Sequence, residues 1–114
     1  MNLRNCRAYG AGQDLVTDVL GCLAGLPRGW GYLADQARRA ATSIPLNIAE
    51  GVGRINRGER RHAFDIAIGS AHEVAAAIEI LHRAEVVSDQ DFDAIWDLCD
   101  HVSRMLGAIR KHLG

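Results

Sequence analysis

Apolar residues recur at intervals of three and four along most of the chain, the spacing that places them on one face of an α-helix. The segment of about residues 58–84 has the clearest stripe. Its members are Phe64, Ala67, Ala71, Val74, Ile78 and Leu81. Comparable stripes predict helices over about residues 6–25 and 30–52, and from Ser88 to about residue 113. No segment alternates apolar and polar residues as a half-buried strand would, so the pattern predicts an all-α chain of four helices.

Helix-breaking and helix-capping residues separate the four segments. Leu26-Pro27-Arg28-Gly29 interrupts the first pattern, and Gly51 and Gly53 suit the C-terminus of the second helix. Ser88 suits the N-cap of the fourth helix, because its hydroxyl can accept a hydrogen bond from a free backbone N–H. Connections this short place consecutive helices antiparallel. The expected fold is therefore an antiparallel up-down-up-down four-helix bundle that forms a single domain over residues 1–114.

The second helix contains a proline in its interior, within the stretch Gln36–Gly51. Pro45 removes one backbone donor, and its ring clashes with the carbonyl four residues earlier, that of Ala41, at a cost of roughly 3 kcal/mol. Packing on both sides must hold such a helix in place, and small residues nearby allow neighbouring helices to approach closely. These small residues are Ala37, Ala40, Ala41, Ser43 and Ala49. We therefore expect the second helix to be kinked at Pro45.

Apolar residues beside the main stripes exceed what one narrow helix face needs. They are Val16, Leu20 and Leu23 on the first helix and Leu98 and Met105 on the fourth. Self-association would bury this surplus, since a small bundle would otherwise expose part of it to water. The alternative is that these side chains widen the internal core face.

The three cysteines, Cys6, Cys22 and Cys99, are odd in number and match no metal-binding or redox spacing. Cys22 and Cys99 lie on apolar helix faces, where a free thiol behaves as a small hydrophobic group. Unpaired cysteines of this kind favour a reducing compartment, and we expect a cytoplasmic protein. No apolar run reaches the roughly 18–20 residues that span a membrane, so no membrane association is expected.

The chain is nearly neutral, with a formal net charge of −1, but its charge is unevenly distributed. Residues 38–61 carry six arginines against two glutamates, a local balance of +4, whereas residues 85–100 carry six carboxylates and no lysine or arginine. The planar guanidinium group matches phosphate geometry, so the arginines are candidates for binding nucleic acid. They are Arg38, Arg39, Arg54, Arg57, Arg60 and Arg61. A solvated basic helix face is the alternative explanation of the same group.

Catalytic and metal-binding patterns are weak in this sequence. Two Glu-x-x-His pairs, Glu59/His62 and Glu79/His82, match the spacing of di-iron bundles, but both lie on the third segment, about 30 Å apart at 1.5 Å per residue. They could share a metal only across subunits, which the sequence leaves open. The stretch Gly51–Gly58 lacks the Lys-Ser/Thr pair and the preceding strand of a phosphate loop. We therefore expect no catalytic residue, no metal and no cofactor.

The stretch Gln36–Gly51, QARRAATSIPLNIAEG, closely resembles the signature of the bacterial four-helix-bundle proteins encoded within intervening sequences of 23S ribosomal RNA genes. Ile66–Glu73, IAIGSAHE, is similar to that family's third helix, and the match runs over roughly residues 30–110. The resemblance implies a bundle that assembles into a ring-like homopentamer. One branch of the family, the accessory variability determinant of diversity-generating retroelements, is a basic pentamer that binds nucleic acid and a reverse transcriptase.

Charge and resemblance together lead to one functional expectation and one alternative. We expect a non-enzymatic homo-oligomeric four-helix bundle that binds structured RNA or DNA through its arginine-rich surface. The alternative is a structural or protein-interaction module without nucleic-acid binding, whose acidic fourth helix docks a protein partner. The net charge of −1 and the single lysine, Lys111, favour the alternative, because the retroelement branch is strongly basic.

Overall fold

The computed structural model describes residues 2–113 and contains four long helices. They are α1 (Arg7–Ala24), α2 (Gly31–Gly53), α3 (Arg57–Arg83) and α4 (Asp89–Leu113). A short 3₁₀ helix, Leu3–Asn5, precedes α1 and was not expected from the sequence. No strand forms within residues 2–113. The all-α prediction is confirmed, and each predicted helix boundary lies within about one residue of the observed one.

The four helices close into a ring in cross-section. Each helix packs on the next one along the chain, and α1 also packs on α4. The connections are the short segments 25–30, 54–56 and 84–88, which reverse the chain each time. The result is the expected antiparallel up-down-up-down bundle, an elongated body with extents of 44 × 22 × 22 Å.

The core consists of one stripe from each helix. All six members of the α3 stripe, from Phe64 to Leu81, are buried. Most of the apolar surplus also belongs to this core, because Leu23 is buried while Val16, Leu98 and Met105 are half-buried against it. These side chains therefore widen the core face, as the alternative proposed, whereas Leu20 stays exposed.

Pro45 lies inside α2, which runs as one helix from Gly31 to Gly53, and the kink itself remains a prediction. The proline is buried, and α1 approaches it closely at Gly12. A Cβ atom on Gly12 would lie 3.3 Å from Ile44 Cγ2 and 3.6 Å from Pro45 Cβ. Because contacts of 3.3 Å are tight for a Cβ atom, the glycine allows α1 to pack directly over the proline.

A small polar group joins α2 to α3 beside this contact. The Asn47 amide donates to the Ser43 carbonyl at 2.8 Å and to the Ser43 hydroxyl at 2.9 Å. Ser70 on α3 donates to the same hydroxyl at 3.0 Å. These hydrogen bonds satisfy half-buried polar atoms that would otherwise destabilise the interface between the helices.

The turn between α3 and α4 is a Schellman motif. The amide of Val86 donates to the Leu81 carbonyl at 3.1 Å, and the amide of Glu85 donates to the His82 carbonyl at 2.9 Å. The motif requires a left-handed residue, usually glycine, and here that residue is Glu85 with a φ of 63°. Ser88 caps the N-terminus of α4, because its hydroxyl accepts a hydrogen bond from the Asp91 amide at 3.1 Å, as the sequence predicted.

Candidate functional site

The antiparallel topology separates charge along the long axis of the bundle. The N-termini of α1 and α3 and the C-termini of α2 and α4 meet at the same end of the molecule. We call this half, residues 2–16, 46–66 and 104–113, the basic end. It holds nine of the thirteen lysines and arginines and four of the fourteen carboxylates, a net charge of +5. The other half, the acidic half, holds the remaining four arginines and ten carboxylates, a net charge of −6.

Two arginines of the predicted site are held by groups on their own chain. Arg54 pairs with Glu50, whose carboxylate accepts from Arg54 Nε at 3.0 Å and raises the pKa of the guanidinium by hydrogen bonding and charge. Arg60 donates from Nε to the Arg54 carbonyl and from Nη2 to the Val52 carbonyl at 3.3 Å. Arg60 thus covers carbonyls at the C-terminus of α2, which have no partner inside the helix.

Two other predicted arginines at the basic end leave their donors available. Arg57 is exposed at the first position of α3, just after Asn56, whose side chain caps the helix by accepting from the Glu59 amide at 3.0 Å. Arg61 is half-buried one turn later. Neither guanidinium forms an ion pair or a hydrogen bond with any residue in the described range 2–113.

The last two predicted arginines lie elsewhere. Arg38 and Arg39 are on the acidic half of α2, about 24 Å along the helix axis from Arg54 at 1.5 Å per residue. Arg38 pairs with Asp35 at 2.5 Å. The six candidates therefore divide into a group of four at the basic end and a separate pair near the opposite end of α2.

The fold adds cationic side chains that sequence reasoning missed. The 3₁₀ helix and α1 contribute Arg4 and Arg7, and the end of α4 contributes Arg104, Arg110 and Lys111. Two of these are paired with carboxylates, Arg104 with Asp100 and Arg110 with Asp65. The antiparallel order of the helices, which the sequence predicted, would have identified these residues, because it places both chain ends beside the α2–α3 turn.

An open groove of about 460 Å³ runs between α2 and α3 at the basic end, and we call it the α2–α3 groove. Its lining consists of Asn47, Glu50, Arg54, Asn56, Gly58, Glu59, His62, Ala63 and Ile66. It includes the first Glu-x-x-His pair, together with one apolar side chain, Ile66, that is 40% exposed. Its polar lining is already largely satisfied, because Arg54 pairs with Glu50 and Asn47 bonds to Ser43.

The second Glu-x-x-His pair lies at the far end of α3. His82 pairs with Asp89 at 2.7 Å and stacks on Phe92 with ring centroids 4.3 Å apart. Both pairs are on α3, as the sequence indicated, so they are separated along one helix. No cluster of three or more histidine, cysteine or acidic side chains forms within the part of the chain that the structure describes.

The comparisons with known proteins agree with the fold. Residues 4–108 match the model of the 23S rRNA-intervening sequence protein family. A crystal structure of a protein with unknown function from the S23 ribosomal protein family, from Bacteroides thetaiotaomicron, superposes with a TM-score of 0.84. At 21% identity over 91% of this chain and 95% of that one, it shows the fold alone. No curated protein matches the chain.

None of the helices described in residues 2–113 combines the length and the apolar character needed to cross a bilayer.

Proposed function

This chain belongs to the 23S rRNA-intervening sequence protein family, and we propose that it is a non-enzymatic, homo-oligomeric helical bundle that binds structured RNA or DNA through its basic end. The observation that supports this proposal most directly is that nine of the thirteen lysine and arginine side chains lie at the basic end. A net charge of −1 for the whole chain hides this separation. The binding surface is thus a property of the fold, not of the composition.

The arginines without intramolecular partners are the ones that can contact phosphate without first breaking an ion pair. Within residues 2–113, the basic-end arginines whose guanidinium groups form no ion pair or hydrogen bond are Arg57 and Arg61 beside the α2–α3 turn and Arg4 and Arg7 near the N-terminus. Each phosphate contact releases counterions, so affinity should rise with the number of free cationic groups and fall with salt. An oligomer would repeat this surface and strengthen binding to a long nucleic acid by avidity.

A matched pair of double variants tests the proposal. Arg57→Gln with Arg61→Gln removes two charges from the basic end, while Arg38→Gln with Arg39→Gln removes two charges from the acidic half. We expect the first variant to weaken binding of a labelled structured RNA and to reduce the slope of log affinity against log salt by about 2. The second should leave both quantities close to those of the unaltered protein. Fluorescence anisotropy at several salt concentrations measures both.

Two outcomes would contradict the proposal. Equal losses for the two variants would mean that binding follows net charge instead of the basic end. Absence of saturable binding by the unaltered protein at low salt would remove nucleic acid as the ligand.

The second candidate function is protein interaction through the acidic half. Its favouring observation is the net charge of −6 on that half, with six carboxylates between Glu85 and Asp100. A basic protein partner, such as the reverse transcriptase that the family resemblance implies, would be retained by this surface. Substituting the two exposed carboxylates Asp93 and Asp97 by asparagine should then weaken protein capture and leave RNA anisotropy unchanged.

A further inference from the structure

Ile55 is the most exposed of the large apolar side chains described in residues 2–113. It is 96% exposed and lies in the middle of the turn 54–56 that joins α2 to α3. Turns favour glycine, proline, asparagine, aspartate and serine, so neither the turn nor the core accounts for an isoleucine at this position. The α2–α3 turn therefore presents an apolar side chain to solvent at the basic end.

Hydrogen bonds hold the backbone on both sides of Ile55. Before it, the Arg54 amide donates to the Glu50 carbonyl at 3.1 Å, and the Arg54 carbonyl accepts from Arg60 Nε. After it, the Asn56 carbonyl accepts from the Arg60 amide at 3.0 Å, and the Asn56 side chain caps α3. Because these contacts fix the turn, the Ile55 side chain can enter a contact without any prior ordering of the backbone.

The charges beside this side chain favour a polyanion as its partner. Residues 54–61 hold four arginines and one glutamate. Arg57 and Arg61 form no ion pair or hydrogen bond through their guanidinium groups within residues 2–113, so these groups are available to phosphates. In single-stranded nucleic acid, phosphates flank flat apolar base faces, which matches an apolar side chain among arginines. A membrane is a poorer match, because one isoleucine offers little apolar area to a bilayer.

Building on the nucleic-acid binding of the proposed function, we propose that Ile55 packs against an unpaired base of structured nucleic acid while Arg57 and Arg61 bind adjacent phosphates. Insertion into a paired helix would unstack two base pairs, at a cost comparable to the gain from burying one side chain. A base in a bulge or loop is already unstacked, so its face is open to an apolar contact. Ile55 thus selects nucleic acid with unpaired bases, whereas the arginines supply binding that carries no sequence information.

Two RNA duplexes of equal length test this selection, one fully paired and one with a single unpaired adenosine. We expect the unaltered protein to bind the bulged duplex about 10-fold more tightly in fluorescence anisotropy. Ile55→Ser should remove most of this preference and leave the slope of log affinity against log salt unchanged, because no charge is lost. Ile55→Leu should keep the preference. Ile80→Ser is the matched control and should bind like the unaltered protein, since Ile80 is a 51% exposed isoleucine on the acidic half of α3.

A fluorescent base reports the contact directly. With 2-aminopurine in place of the unpaired adenosine, the emission should change when saturating unaltered protein packs against that base. Saturating Ile55→Ser should produce little change. Circular dichroism establishes that the variant is folded, as expected for a substitution at an exposed position. Equal emission changes with the two proteins would overturn the contact.

The remaining outcomes separate this inference from the nucleic-acid proposal. Equal affinity of the unaltered protein for the two duplexes would overturn the role of Ile55 and leave the nucleic-acid proposal standing, whereas absence of binding to either duplex would remove both. A lower salt slope for Ile55→Ser would mean that the substitution acts through the arginines, which also overturns the inference. So would an unchanged duplex preference accompanied by a lower oligomeric mass in sedimentation velocity, or by weaker binding to phosphatidylglycerol vesicles.

Discussion

Gly51 of α2 and Phe64 of α3 are packed so closely that only a glycine fits. A Cβ atom on Gly51 would lie 2.5 Å from Phe64 Cε1 and 2.9 Å from Phe64 Cδ1. The ring is 1% exposed, so it cannot move aside into solvent. This contact fixes the distance between α2 and α3 directly beside their short turn, and with it the position of the arginines that the turn carries.

Replacing Gly51 by alanine should therefore destabilise the protein, although alanine favours a helix more than glycine does. We expect a loss of about 1–3 kcal/mol in the free energy of unfolding, because the new methyl group forces the Phe64 ring or the backbone to shift. Gly69→Ala is the matched control, since Gly69 lies in α3 with nothing within 4 Å of its would-be Cβ. That change should raise stability by about 0.5–1 kcal/mol. Urea denaturation measures both, and a gain in both variants would contradict the packing argument.

The same glycine illustrates what the sequence could and could not predict. Gly51 was interpreted as a sign of a helix end, and α2 does end two residues later, at Gly53. The reason for the glycine is nevertheless the Phe64 ring, which comes from another helix. Periodicity within a segment predicts the elements and their buried faces, whereas a close approach depends on how two elements meet.

The candidate site likewise combines features that one segment of sequence predicts with features that depend on how the helices meet. The arginines around the α2–α3 turn were found from local charge, but Arg60 is held by backbone carbonyls, a geometry that the sequence does not encode locally. The contribution of Arg4 and Arg7 requires the chain ends to return to that turn. Charge separation along the bundle is thus visible only after the antiparallel topology has been applied to the sequence.

Arg60 should matter for stability more than its neighbour Arg57 does. Arg60→Gln removes the donors that cover the Arg54 and Val52 carbonyls, and we expect the free energy of unfolding to fall by about 1 kcal/mol. Arg57→Gln removes the same charge from the same turn without losing an intramolecular hydrogen bond, so it should change stability by less than about 0.5 kcal/mol. Thermal or urea unfolding compares the two. Equal effects would mean that the carbonyl contacts contribute nothing.

Glu85 occupies a backbone conformation that favours glycine. Its φ of 63° lies in the left-handed region, which costs roughly 1 kcal/mol for a residue with a Cβ atom. We expect Glu85→Gly to raise the free energy of unfolding by up to about 1 kcal/mol. Glu85→Ala separates this backbone effect from the loss of charge, because alanine removes the carboxylate and keeps the strain. If alanine stabilised as much as glycine, the strain would not be the cause.

The Cys99 thiol should make stability fall at alkaline pH. Burial raises the pKa of Cys99 from 9.0 to about 12, so the unfolded chain loses this proton at a lower pH than the folded chain does. The buried, protonated thiol contributes its full stabilisation below about pH 9. As the pH rises from there towards 12, the free energy of unfolding should fall by up to about 1.4 kcal/mol per pH unit. Partial burial raises the pKa of Cys22 as well, which adds to the effect in the same direction. Cys99→Ala should flatten the decline between pH 9 and 11 in urea titrations, whatever cavity it leaves. An unchanged slope in this variant would show that Cys99 does not drive the alkaline loss.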